Sequence, residues 1–249
     1  MNLSNFVEKY KELLSITDVP IVLKRDPKNE FEHELEWHPN EKIWCIWYKD
    51  TPMEFYIIHE LGHLYFAKIL THFEGFALQT PFHKEINKKL YPLFNNLLDP
   101  FINYSLSKFD EIYLTQKQTL SEYLENFNDF KEMLDNQKDF ITLLSWYFIF
   151  FLEFNFILKK SERDLFSEEI EHSLNYIKSS LLKVKTMLFT INFEELNKKL
   201  SKFEVVKEEI DPKLIVLFMI NVIYVLDNWT KKELLKQIKL YFPGLKSLG

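Results

Sequence analysis

FYIIHELGHLYFAKIL, residues 55–70, places two histidines and a glutamate in the middle of an apolar stretch. A helix that is apolar all round is normally buried in a core. Buried ionisable groups are costly unless something pairs with them. Either each of the three finds its own hydrogen-bond partner in the packing, or one bound cation satisfies them together. The start of the stretch is marked by Thr51-Pro52-Met53-Glu54, which predicts a hydroxyl at the N-cap, proline at the first helical position and a capping box. A helix is therefore expected to about Leu70, closed by His72 to Gly75.

Outward from this helix, the preceding residues read as a small sheet. Residues 3–15 alternate apolar and charged positions at helical spacing, and Asp18-Val19-Pro20 stops them. PIVLKR (20–25) predicts a short strand. FEHELEWHPNEKIWCIWYKD (31–50) predicts a hairpin turning at His38 to Glu41. His33 and His38 are read as surface or turn residues of that hairpin. A further helical pattern covers 82–108 and contains Pro92 and Pro100. From about 116 only helical periodicity remains, with helices expected near 116–136, 139–160, 162–187, 191–204, 211–228 and 231–242. The expected fold is mainly α (α+β). A small antiparallel sheet and the quoted helix form an N-terminal domain over 1–112, and an all-helical half covers 113–249.

Composition narrows the function classes. The chain has 249 residues and is 47% hydrophobic, enough to bury a sizeable core. Its 24 Phe and 12 Tyr stand against only 4 Gly, which excludes Gly-rich phosphate-cradling loops, because these need backbone without a Cβ at the ligand. A net charge of -6 with interspersed signs argues against binding a nucleic-acid backbone. Cys45 is the only cysteine, so no intramolecular disulfide forms; a buried inert thiol and a reducing, cytoplasmic setting are expected. The N-terminus carries charges where a secretory signal needs an apolar core. FITLLSWYFIFFLEFNFIL (140–158) approaches the length of a membrane span, but Glu153 and Asn155 interrupt it. This run and LIVLFMINVIYVL (214–226) are expected to be buried helices that pack on each other in a soluble protein.

His59 and His63 are four residues apart, so on a helix both imidazoles share one face and reach one metal ion. Glu60 is rotated round the helix and can stand beside a water held there. This is the HExxH arrangement of a zinc hydrolase, in which Glu60 acts as general base on a metal-activated water. Gly62 inside the helix costs about 1 kcal/mol against alanine, which implies a packing reason.

With these residues in place, the first 110 or so residues resemble a zincin metallopeptidase. The resemblance implies zinc as cofactor, His59 and His63 as ligands, Glu60 as general base, and a peptide or protein as substrate. In gluzincins the third protein ligand is a glutamate on a downstream helix, often followed one turn later by Asp or Asn. Here NNLLDPFINYSL (95–106) offers Asp99 and Asn103, both polar within an apolar segment. Asp99 is the expected third ligand, and Asn103 would hold Asp99 or a histidine from behind. The chain departs from the pattern in having Asp for Glu and in Pro100 directly after it. Pro100 implies either a kinked helix or a new helix with Asp99 as its N-cap. Glu85 has the better spacing but polar surroundings, and nothing fixes His72, Glu74 or His83 on an apolar face. Tyr104, Tyr65 and His83 are candidates to stabilise an oxyanion.

KIWCIWYK (42–49) could be an edge strand that binds an extended peptide by strand addition, with Trp47 contributing. The expected activity is zinc-dependent hydrolysis of peptide bonds. The alternatives are a zinc-stabilised regulatory or interaction protein without turnover, a membrane-associated protease using 140–158, and a helical protein without metal.

Overall fold

The computed structural model describes residues 3–28, 33–69, 90–137, 139–184, 191–209, 211–223 and 225. The helix expected over 231–242, the closure at His72 to Gly75, and His72, Glu74, His83 and Glu85 lie outside the described residues. The protein is mainly helical, with one small three-stranded sheet. It divides into two compact units, Met1–Gln79 with Ser105–Thr119, and Thr80–Tyr104 with Leu120–Gly249.

The first unit opens with α1 (Leu3–Leu13), which buries Phe6, Val7 and Tyr10 along one stripe. Lys11 is also buried there, its ammonium donating to Glu8 one turn back at 3.0 Å. The strands β1 (Ile21–Arg25), β2 (His33–His38) and β3 (Ile43–Tyr48) follow. The hairpin forms as expected, with His33 opposite Tyr48 and His38 opposite Ile43. The sheet, however, is mixed and not antiparallel. Its order is β1-β3-β2, and β1 runs parallel to β3, pairing Ile21 with Trp44 and Arg25 with Tyr48.

That order overturns the edge-strand reading of residues 42–49. β3 is hydrogen-bonded on both sides, so its backbone has no open row for an added strand. Its centre is core: Cys45 and Ile46 are fully buried, and burial raises the Cys45 thiol pKa. Trp47 donates through Nε1 to Glu36 on the neighbouring strand at 2.8 Å.

α2 (Glu54–Ile69) packs on α1 and β2. Ile57, Ile58, Leu61, Leu64 and Phe66 are buried, as an all-round apolar helix requires. Its start differs from the capping-box expectation. Ile57 donates its backbone N–H to the Met53 carbonyl, which makes Met53 the capping position instead of Thr51. The Met53 N–H in turn donates to His33 Nε2 at 3.2 Å. His33 is thus not a surface residue. It is 9% exposed, stacks on Tyr56 at 5.0 Å between ring centroids, and ties β2 to the first turn of α2.

In the second unit, α3 (Leu90–Leu106) is continuous through Pro100. It is followed by α4 (Asp110–Glu125), whose residues up to Thr119 belong to the first unit, and by α5 (Phe127–Asn136) and α6 (Phe140–Leu152). Asp139 caps α6 by accepting from the Thr142 N–H at 2.8 Å. α6 does not run on to residue 158. At Glu153 the helix widens into a π turn, Glu153–Ile157, which ends where Leu158 becomes extended. The helices α7 (Lys160–Leu165), α8 (Ser167–Lys183), α9 (Phe193–Leu200), α10 (Phe203–Glu209) and α11 (Pro212–Ile223) follow among the described residues of the unit.

α6 packs on α8 and α9, and α9 and α10 on α11, and both apolar runs bury side chains among their described residues, Phe148, Phe150, Ile215 and Met219 among them. Among the described residues no helix is long and apolar enough to cross a membrane. Many phenylalanines cluster in the core: Phe150 stacks on Phe130 and Phe154, and Phe203 packs against Phe101, Phe156 and Phe218.

Candidate metal centre

His59 and His63 occupy successive turns of α2, as their spacing requires. Their ring centroids are 4.9 Å apart and the planes nearly perpendicular, at 86°. His63 is buried at 5% exposure, while His59 and Glu60 are half-buried. Gly62, between them, is buried as well.

Asp99 lies inside α3, not at a helix start. Pro100 is within the helix, so the N-cap reading of Asp99 is excluded. The proline supplies no N–H to the carbonyl of Asn96, and an interior proline costs a helix ~3 kcal/mol. Packing outweighs that cost. Leu97, Leu98, Phe101 and Ile102 around it are at most 1% exposed, and each such side chain contributes roughly 1.5–3 kcal/mol on burial. Asp99 is half-buried in this apolar segment.

Among the described residues, His59, His63 and Asp99 form a group of potential metal ligands. One ligand atom from each lies within 4.8 Å of the others. Two imidazoles and a carboxylate are a donor set that suits zinc. Atoms bound at about 2.0–2.2 Å to a tetrahedral zinc stand ~3.4 Å apart, so side-chain rotations of order 1 Å would close the group round an ion. The residues present therefore fit such an ion.

Asn103, one turn beyond Asp99, is 5% exposed, and its amide donates to Glu153 Oε1 at 2.5 Å. Glu153 is itself only 5% exposed. Burial pushes its pKa up to about 8; the Asn103 hydrogen bond opposes that rise, and the charge of Asp99 adds to it. The sequence reading missed Glu153 as a site residue and used it only as a break in the apolar run. The available signal was the one that picked out Asp99 and Asn103: a lone polar side chain in an apolar helix. Of the oxyanion candidates, Tyr65 packs edge-on against Phe109, and Tyr104 lies under the Lys207 ammonium.

The raised Glu153 pKa has a consequence for stability. Its folded value lies above the unfolded one near 4.5, so the stability it permits is fully present below about pH 4.5 and declines as pH rises to about 8. In the metal-free protein, wild type is expected to lose a few kcal/mol relative to Glu153→Gln over this range, with the difference constant above it. Urea unfolding of both proteins at pH 5, 7 and 9 in chelator checks this. Parallel stabilities at all three values would show that Glu153 does not titrate in that window.

No protein-family model, curated protein or solved structure matches this chain, so the site's own residues carry its reading.

Proposed function

We propose that this protein is a zinc-dependent peptidase in which His59, His63 and Asp99 hold the metal and Glu60 serves as general base. The observation that carries this reading is the closeness of the three ligand atoms, two of them on the helix that contains HELGH and the third from Asp99. His59 and His63 would each offer one ring nitrogen, and Asp99 a carboxylate oxygen. When bound, a zinc ion supplies Lewis acidity, which brings the pKa of a water toward neutrality. Glu60, adjacent to His59 and half-buried, would accept that water's proton and return it to the leaving amine. A peptide carbonyl is the substrate that this pairing of a metal-held water with a carboxylate base would suit. The single buried cysteine is compatible with work in a reducing compartment such as the cytoplasm.

Metal content of the purified protein, by mass spectrometry, is the direct test. About one zinc per chain is expected. Asp99→Ala should weaken zinc by more than the ~10–100-fold typical of residues that only support a ligand, whereas Glu85→Ala should keep it. No zinc in wild type after loading and removal of excess, or zinc held equally well by Asp99→Ala, would overturn the ligand set.

A further inference from the structure

We propose that Glu153 is a positioning residue for the metal centre, holding Asn103 and thereby the turn of α3 that presents Asp99. The proposal rests on Asp99 being a metal ligand. Three features, each unfavourable for a helix or a core, meet here. A carboxyl group is buried to 5% exposure, where a leucine of similar size would pack at lower cost. It sits at the first position of a π turn, a rare widening that turns Glu153 inward with Phe154 and Ile157. Its partner Asn103 lies one turn from Asp99, on a helix that lacks a backbone hydrogen bond at Pro100.

Together these features have a mechanical reading. Between Asn96 and Pro100 the α3 ladder is missing one rung, so the turn carrying Asp99 is held by one backbone hydrogen bond fewer. The Asn103 amide, held at 2.5 Å by Glu153, fixes the next turn to the end of α6. Asn103 and Asp99 are four residues apart and share one face, so fixing the first limits how far the second can swing. The interaction needs an acceptor at the position of Glu153 Oε1. A net charge there is not required.

Isothermal titration of chelated, metal-free protein with zinc alone tests this, with the stability of the same metal-free samples measured by urea unfolding. Glu153→Leu is expected to bind zinc ~10–100-fold more weakly than wild type, and the unfolding of the metal-free samples separates this from any loss of fold through the lost Asn103 hydrogen bond. Glu153→Gln keeps an acceptor for Asn103 and is expected to stay within about threefold of wild type. Asn103→Ala should match the loss in Glu153→Leu, and combining the two should add little, as two ends of one interaction do.

Zinc binding by Glu153→Leu within threefold of wild type would overturn the proposal, as would Glu153→Gln falling with it or losses that multiply in the double variant. If Glu153→Leu does not fold, Asn103→Ala decides by the same threefold margin. No zinc in wild type would remove the metal centre and this role together. Zinc held equally by wild type and all variants would remove this role alone.

Discussion

Glu60→Gln is expected to lower kcat/KM for peptide hydrolysis by ~10²–10⁴-fold, the usual contribution of a positioned general base, while zinc content stays at the wild-type level. Glu60 follows His59 on α2 and is rotated ~100° from it, so it stands beside the two imidazoles without sharing their face. Glutamine has the same size and can still orient a water, but it cannot take the water's proton. Loss of turnover with metal retained thus separates base from ligand. A zinc-stabilised regulatory protein would respond differently: the same substitution would leave metal content, stability and partner binding unchanged, with no turnover in either form. Fluorescence release from a mixed library of quenched peptides, run on zinc-loaded wild type and variant, distinguishes the two. Turnover that is equal in both would remove Glu60 from the reaction.

Much of the fold is readable from sequence, because α2, the hairpin and the buried runs are local patterns. Alternation across 31–50 with a turn at His38 to Glu41 suffices for β2 and β3. Strand order is not local. Alternation says which faces a strand offers, but not that β1 returns to pair in parallel with β3, and this pairing turned a supposed edge into the sheet's centre. The helix start is a similar case. Thr51, Pro52 and Glu54 make a plausible box, yet the Met53 N–H is taken by His33, a residue twenty positions earlier that only the folded hairpin brings there. Pro100 was ambiguous because propensity counts the lost rung but not the four buried side chains that outweigh it. Glu153 escaped for another reason. The HExxH spacing links residues within one helix, whereas nothing in sequence links Glu153 to Asn103, fifty residues away.

The metal itself is tested most sharply by His63→Ala, which is expected to abolish the thermal stabilisation by zinc expected of wild type. A ligand that binds only the folded state stabilises it by RT ln(1 + [L]/Kd), or ~4 kcal/mol at a thousandfold excess over Kd. Wild type should therefore melt several degrees higher with excess zinc than in chelator, and His63→Ala should melt at one temperature in both. Reading the zinc-dependent shift, and not the absolute Tm, matters because His63 is 5% exposed. Truncating a buried ring leaves a cavity and destabilises the variant whether or not a metal is involved. The cavity lowers both of its melting curves equally and cancels in the difference. Two imidazoles 4.9 Å apart at 86° could otherwise be explained as ordinary aromatic packing. Packing alone predicts no zinc response in wild type, and only the cavity cost in the variant. A wild-type Tm indifferent to zinc would leave HELGH as a packing motif, and a shift that survives His63→Ala would move the metal away from α2.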